Sequence, residues 1–270
     1  MISYFIEVAV LIWLFMTFAF LICSFKKNNG LVDIAWGAGF FLVTAFTFLK
    51  QPDAFQPEMR SRFMIFCFVT LWALRLSIYL FMRNWNAAED WRYAAWRNDW
   101  GKNFYWRSYL QVFLLQGVLM FIILLPVTLA NVSGSDHEMV LGLPAWLFVI
   151  PGTLLFAVGF FFEAVGDYQL QQFKANPANK GKVMQYGLWA YTRHPNYFGE
   201  SCIWWGIFLL SLLSAHGRYD MLIRFIGPSL ITLLLLRVSG VTMLEKKYSN
   251  NPEYEAYKKR VNAFLPWIKR

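Results

Sequence analysis

Residues Gly187–Ser214 read GLWAYTRHPNYFGESCIWWGIFLLSLLS. The first half is polar and aromatic: Tyr191, Arg193, His194, Asn196, Tyr197 and Glu200 fall within ten residues of one another. From Phe198 the chain turns apolar, and 198–214 approaches the length that crosses a bilayer. Ionisable groups at such a boundary are costly unless something pairs with them or binds to them. This stretch therefore predicts a membrane helix whose polar entrance carries chemistry.

The rest of the chain agrees with a membrane protein. Of 270 residues, 58% are hydrophobic and only 15% charged, against about 25% charged in soluble domains. Mean hydropathy is +0.40. Apolar segments at 4–24, 31–49, 62–82, 109–130, 144–165, 198–214 and 221–243 predict seven transmembrane helices. The expected fold is all-α, a single integral membrane domain over 1–270.

The basic residues orient it. Nineteen Lys and Arg fall on the side that includes 26–27, 83–107, 174–193 and 237–270, and five fall on the other, with Arg75 inside a span. The positive-inside rule then places the N-terminus outside and the C-terminus in the cytoplasm. The 131–143 connection, which has Asp136 and Glu138 but no Lys or Arg, goes outside. A bacterial inner membrane is the expected location, with membrane lipid as a partner. The charge of +9 is concentrated on one membrane face, so nucleic acid is not expected as a partner.

Cys23, Cys67 and Cys202 have no metal-ligand spacing, and His137, His194 and His216 are scattered, so no metal site is expected. No Walker loop occurs. Gly37 and Gly39 lack the third glycine of a dinucleotide fingerprint and read as helix-packing positions.

Three polar segments share the basic face. In 83–108, Glu89 precedes Arg92 by three residues and Asp90 precedes Arg97 by seven, which predicts a short interfacial helix with internal ion pairs. Trp85, Trp91, Trp96, Trp100 and Trp106 suit a headgroup belt. In GFFFEAVGDYQLQQFK (159–174), a continuing helix puts Glu163, Asp167, Gln171 and Lys174 along one face. Beyond it, His194-Pro195 breaks the helix, and Asn196–Glu200 becomes the first turn of the sixth span, with Asn196 at or near the N-cap. A helix start of this kind also suits phosphate or carboxylate binding. Arg237, near the inner end of the last span, needs an anionic partner. The tail, with Tyr254 and Tyr257 three apart, predicts a short helix returning to the membrane face, with Phe264 and Trp267 as anchors.

Taken in order, LVDIAWG (31–37), EDWRY (89–93), GDYQLQQFK (166–174), GLWAYTRHPNYFGE (187–200) and LEKKYSNNPEYEAYKKRVNAFLPW (244–267) resemble the steroid 5α-reductase-like membrane family, in its bacterial DUF1295-type branch. The RHPNYFGE core is also similar to the isoprenylcysteine carboxyl methyltransferases. The resemblance implies a seven-helix bundle with NADPH on the cytosolic side, held by approximately 144–270, and a lipophilic small-molecule substrate in the half formed by approximately 1–130. Implied cofactor contacts are Asp167, Lys174, Asn196, Glu200 and Arg237, with Tyr191, Arg193, His194 and Tyr197 in the same motif and Arg75 as a further phosphate contact. For proton donation, which must reach the oxygen where enolate charge develops, the candidates are Asp33 with Tyr79 or Tyr93. The expected activity is NADPH-dependent reduction of a conjugated double bond. The alternative is an S-adenosylmethionine-dependent methyltransferase.

Overall fold

The computed structural model describes residues 2–51, 55–56, 59–238, 240–248 and 250–267, with the side chain of Lys247 left aside. Lys269 and Arg270, counted above for topology, lie outside the described residues. Among the described residues, seven helical stretches are long and apolar enough to cross a membrane. The chain is an all-α polytopic membrane protein.

The first three spans are α1 (Ile2–Phe25), α2 (Val32–Leu49) and α3 (Arg60–Asn84). The fourth differs from the expected 109–130. An interfacial helix α4 (Trp91–Trp100) leads into α5 (Phe104–Ser108), a π-helical turn (Tyr109–Leu114) and α6 (Leu115–Ile123). The helix then stops at Leu124 and restarts as α7 (Leu125–Val132). Pro126 is the cause: it has no N–H to bond Ile122, and its ring crowds that carbonyl. Gly227 of a later helix packs into this break, where an added Cβ would meet the Ile123 carbonyl at 2.6 Å.

A two-stranded hairpin, β1 (Met139–Val140) with β2 (Leu143–Pro144), precedes α8 (Trp146–Ala175). At 30 residues α8 is about 45 Å long, enough to cross the bilayer and project beyond it. The sixth span, α9 (Pro195–Ser211), begins three residues before the expected Phe198. The seventh breaks too: α10 (Gly217–Leu233) passes through a π-helical turn (Leu234–Val238) into α11 (Val241–Lys247). α12 (Pro252–Arg260) completes the fold.

Two helix pairs form the frame. Gly152 and Gly159 of α8 lie directly against Gly206 and Gly199 of α9, and Gly166 lies against Pro195. A Cβ on Gly159 would stand 2.5 Å from the Gly199 carbonyl oxygen, so the two backbones touch. The seven-residue spacing of these α8 glycines keeps the seam on one face and fixes the register of Glu163 and Asp167 against the start of α9. In the other pair, Gly37 of α2 sits against Ala73 and Ser77 of α3, the close packing its position predicts. Trp36, Phe40, Trp72 and Trp204, in edge-on or tilted ring contacts, join the pairs at the core.

Contacts between loops define two ends. At the basic end, Glu89 receives the Asn29 N–H (2.8 Å) and the Arg97 guanidinium, Arg92 reaches Met243, and Arg193 pairs with Glu245. At the opposite end, Asp136 bonds Ser61, and Arg224 bonds Ser133 and Asp220. The expected ion pairs around α4 form with exchanged partners: Asp90 holds Arg92 and Glu89 holds Arg97. The reason is local. Asp90 is the N-cap of α4, so its carboxylate accepts from the Arg92 N–H and stays beside that side chain. Glu89, outside the helix, is free to reach Arg97.

Candidate functional site at the basic end

The site starts from an arginine inside the third span. Arg75 donates to Asp167 Oδ2 at 2.9 Å and pairs closely with Glu163, both on α8. Trp72, one turn earlier on α3, donates its indole N–H to Glu163 at 3.0 Å. Asp167 also accepts from the Asn196 amide of α9 at 3.2 Å. Glu200, one turn beyond Asn196, is within charge–charge reach of Arg75, Glu163 and Asp167. One guanidinium thus faces three carboxyl groups. Asn196 is the second residue of α9, where His194 is the cap, so its side chain is free for Asp167 rather than for capping.

Two features of this cluster point outward. The Asn196 Oδ1 and Arg75 Nε atoms are buried without a hydrogen-bond partner. Glu200 is half-buried, and no hydrogen bond reaches its carboxyl among the described residues. A buried acceptor lacking a donor costs about 1–3 kcal/mol.

The proton-donor candidates fall in two groups at the same end. Tyr79 lies near Asp167, with the Arg83 guanidinium 5.4 Å from its ring. Asp33 and Tyr93 form the second group, with Arg92 5.6 Å from the Tyr93 ring. Tyr197 is within electrostatic range of Glu200 and Asp167 and of Arg83 and Arg92.

The motif residues before α9 face elsewhere. Arg193 is buried: its side chain donates to Glu245 (2.8 Å) and to the carbonyls of Lys258 and Val261, and its N–H donates to Asn262 (2.9 Å). His194, also buried, has Nε2 3.3 Å from Glu245 and stacks its ring on Tyr197 at 5.4 Å. Burial lowers the His194 imidazole below its ordinary range, against the pull of the Glu245 carboxylate. Tyr191 is exposed, and its carbonyl accepts the Trp267 N–H. The tail therefore returns as a strap: Thr192 donates to the Phe264 carbonyl, and Tyr257 donates to the Trp189 carbonyl. Of the two expected membrane anchors, Phe264 packs its ring edge-on to Phe198 and Trp267 remains exposed.

Lys174 and Arg237 are exposed at the rim of this end. Arg75, expected at a phosphate, is turned toward Glu163 and Asp167 instead, because two carboxylates one turn apart on α8 sit directly across from it. The pairing of Glu163 with Trp72 and Arg75 had no separate motif. Its signal was the rarity of ionisable residues inside apolar spans, which marks them as functional candidates.

With this geometry in hand, the comparisons place the chain. A model of the family of unknown function DUF1295 matches residues 19–261, so the chain belongs to that family. An uncharacterized protein of Schizosaccharomyces pombe is 26% identical over 260 residues, covering 89% of this chain and 73% of its own length. A probable O-methyltransferase of Ustilaginoidea virens is 44% identical over 50 residues, 18% of each chain. No solved structure matches.

Proposed function

We propose that the Arg75–Asn196–Glu200 cluster at the basic end holds a nucleotide cofactor, and that the protein is an NADPH-dependent reductase of a conjugated carbon–carbon double bond in a lipophilic substrate, steroid-like or another lipid. The observation that carries this reading is the Asn196–Glu200 face of α9. It offers a buried amide oxygen without a donor and a carboxyl without a hydrogen bond, beside a helix N-terminus. Such acceptors fit the carboxamide N–H₂ and ribose hydroxyls of a nicotinamide nucleotide. Arg83, Lys174 and Arg237, toward the aqueous rim, suit its phosphates. When bound, the cofactor supplies hydride.

The chain's own residues do the rest. Asp167 holds the Asn196 amide so that its oxygen stays presented. Asp33 with Tyr93, or Tyr79, delivers the proton that reduction also requires, at the oxygen where enolate charge develops. Trp36, Phe40, Trp72 and Trp204 exclude water from the inner wall. The basic bias of this end supports a cytoplasmic orientation, in a bacterial inner membrane.

A second reading, an S-adenosylmethionine-dependent methyltransferase, is favoured by the similarity to the probable O-methyltransferase and by the excess of carboxyl groups over Arg75, which suits a sulfonium and an ammonium. Native mass spectrometry of protein purified in mild detergent, with thermal shifts against each nucleotide, separates the two. Retention of NADPH and a shift with it alone is the expected result. A shift with S-adenosylmethionine alone overturns the reductase reading.

A further inference from the structure

Resting on the cofactor reading above, we infer that Glu245 is a positioning residue for the α9 face. Glu245 lies on α11, after the last span has bent, and its partners are Arg193 and His194 rather than the Arg75 cluster. Its Oε1 receives Arg193 Nε at 2.8 Å and Nη2 at 2.7 Å, and stands 3.3 Å from His194 Nε2. His194 is the N-cap of α9, yet its side chain makes no capping bond. The next residue, Pro195, has no N–H to donate. The usual means of orienting a first helical turn is therefore missing. Beside the glycine seam and the Asn196–Asp167 bond, what orients it is the imidazole, gripped at one edge by Glu245 and stacked on Tyr197 with an interplanar angle of 10°. Tyr197 stands between Asn196 and Glu200 in sequence and within range of Glu200 and Asp167. The path runs from Glu245 through His194 to Tyr197 and so to the face that meets the cofactor.

Glu245 is not needed merely to fasten the tail. Val183, Tyr254, Tyr257 and Val261 form an apolar cluster there, and backbone bonds from Arg193 to Asn262 and from Trp267 to Tyr191 hold it independently. Removing the Glu245 charge disturbs the imidazole and leaves buried Arg193 without its carboxylate, while these contacts keep the strap docked.

The experiment uses the full chain in mild detergent with 3-fluorotyrosine, the Tyr197 fluorine resonance being assigned through Tyr197→Phe. In Glu245→Gln, the Tyr197 resonance moves while that of Tyr79 does not, NADPH affinity of the folded protein falls roughly ten-fold, and the unfolding midpoint drops because buried Arg193 loses its carboxylate. Glu245→Asp restores part of both changes and carries the same readouts where the Gln variant does not fold. An unmoved Tyr197 resonance, or unchanged nucleotide affinity with a moved resonance, overturns the inference. If wild-type protein binds neither NADPH nor S-adenosylmethionine, the cofactor reading falls, and the fluorine resonance alone decides the positioning role.

Discussion

Arg224 and Arg75 are both arginines within membrane spans, and they are used in opposite ways. Arg224, at the end opposite the site, is fully buried and surrounded by acceptors: Asp220 one turn away, the Ser211 and Ser214 carbonyls, and the Ser214 and Ser133 hydroxyls. One carboxylate balances its charge and neutral oxygens take the remaining donors. Arg75, at the basic end, keeps 17% side-chain exposure, has an unpartnered Nε, and faces carboxyl groups that outnumber it. A saturated arginine closes a structure. One set among surplus acids and unsatisfied atoms suits the proposed ligand site.

This contrast predicts different failures. The largest effect is expected at the closed end, where Arg224→Met leaves Asp220 uncompensated and costs about 3–5 kcal/mol, read as loss of folded protein in a detergent unfolding titration. A near-normal midpoint would mean that Arg224 is not the keystone of that end. Arg75→Met, which leaves Glu163 and Asp167 without their cation, should destabilise by a comparable amount and in addition weaken nucleotide binding roughly ten-fold, because Asp167 no longer holds Asn196 in place. If Arg75→Met destabilises as much as Arg224→Met and spares binding, the comparison collapses. Glu200→Gln should lower nucleotide affinity roughly ten-fold with little change in stability, because among the described residues no hydrogen bond reaches that carboxyl. A drop in the unfolding midpoint without any change in affinity would place Glu200 among the structural residues.

The smallest effect is a pH dependence from His194. Its folded-state value is lowered by burial, so the unfolded chain binds the proton first. Stability should fall as pH drops below the ordinary histidine value of about 6.5, by at most about 1.4 kcal/mol per unit. The contribution is fully present above that value. His194→Phe should flatten the slope, and an unchanged slope would assign the pH dependence to another group.

Much of the frame was legible in the chain. Each of the seven spans corresponds to an apolar run, and the Gly37 packing position was readable as such. Breaks inside spans were less legible, since Pro126 and the π-helical turn before Gly240 sit in segments whose hydropathy stays high throughout. The site was legible in part. The polar run before Phe198 marked the place, but adjacency in sequence suggested one function for residues that the fold divides. Arg193 and His194 face the returning tail, whereas Asn196 and Glu200, one turn further on, face α8 and α3. Glu163 was readable on one helix face with Asp167, and the resemblance made Arg75 a phosphate contact, but neither showed the other as its partner.

The sequence by itself determined the membrane architecture, because runs of about 20 apolar residues have one stable form in hydrocarbon, the helix that satisfies its own backbone. It also determined the family, through motifs spread from residue 31 to residue 267. Only the tertiary structure decided which charges meet. Arg75 and Glu163 are 88 residues apart, and what joins them is the glycine seam between α8 and α9 together with the packing of α3 against it. No local pattern encodes that meeting, because it depends on how closely distant backbones approach.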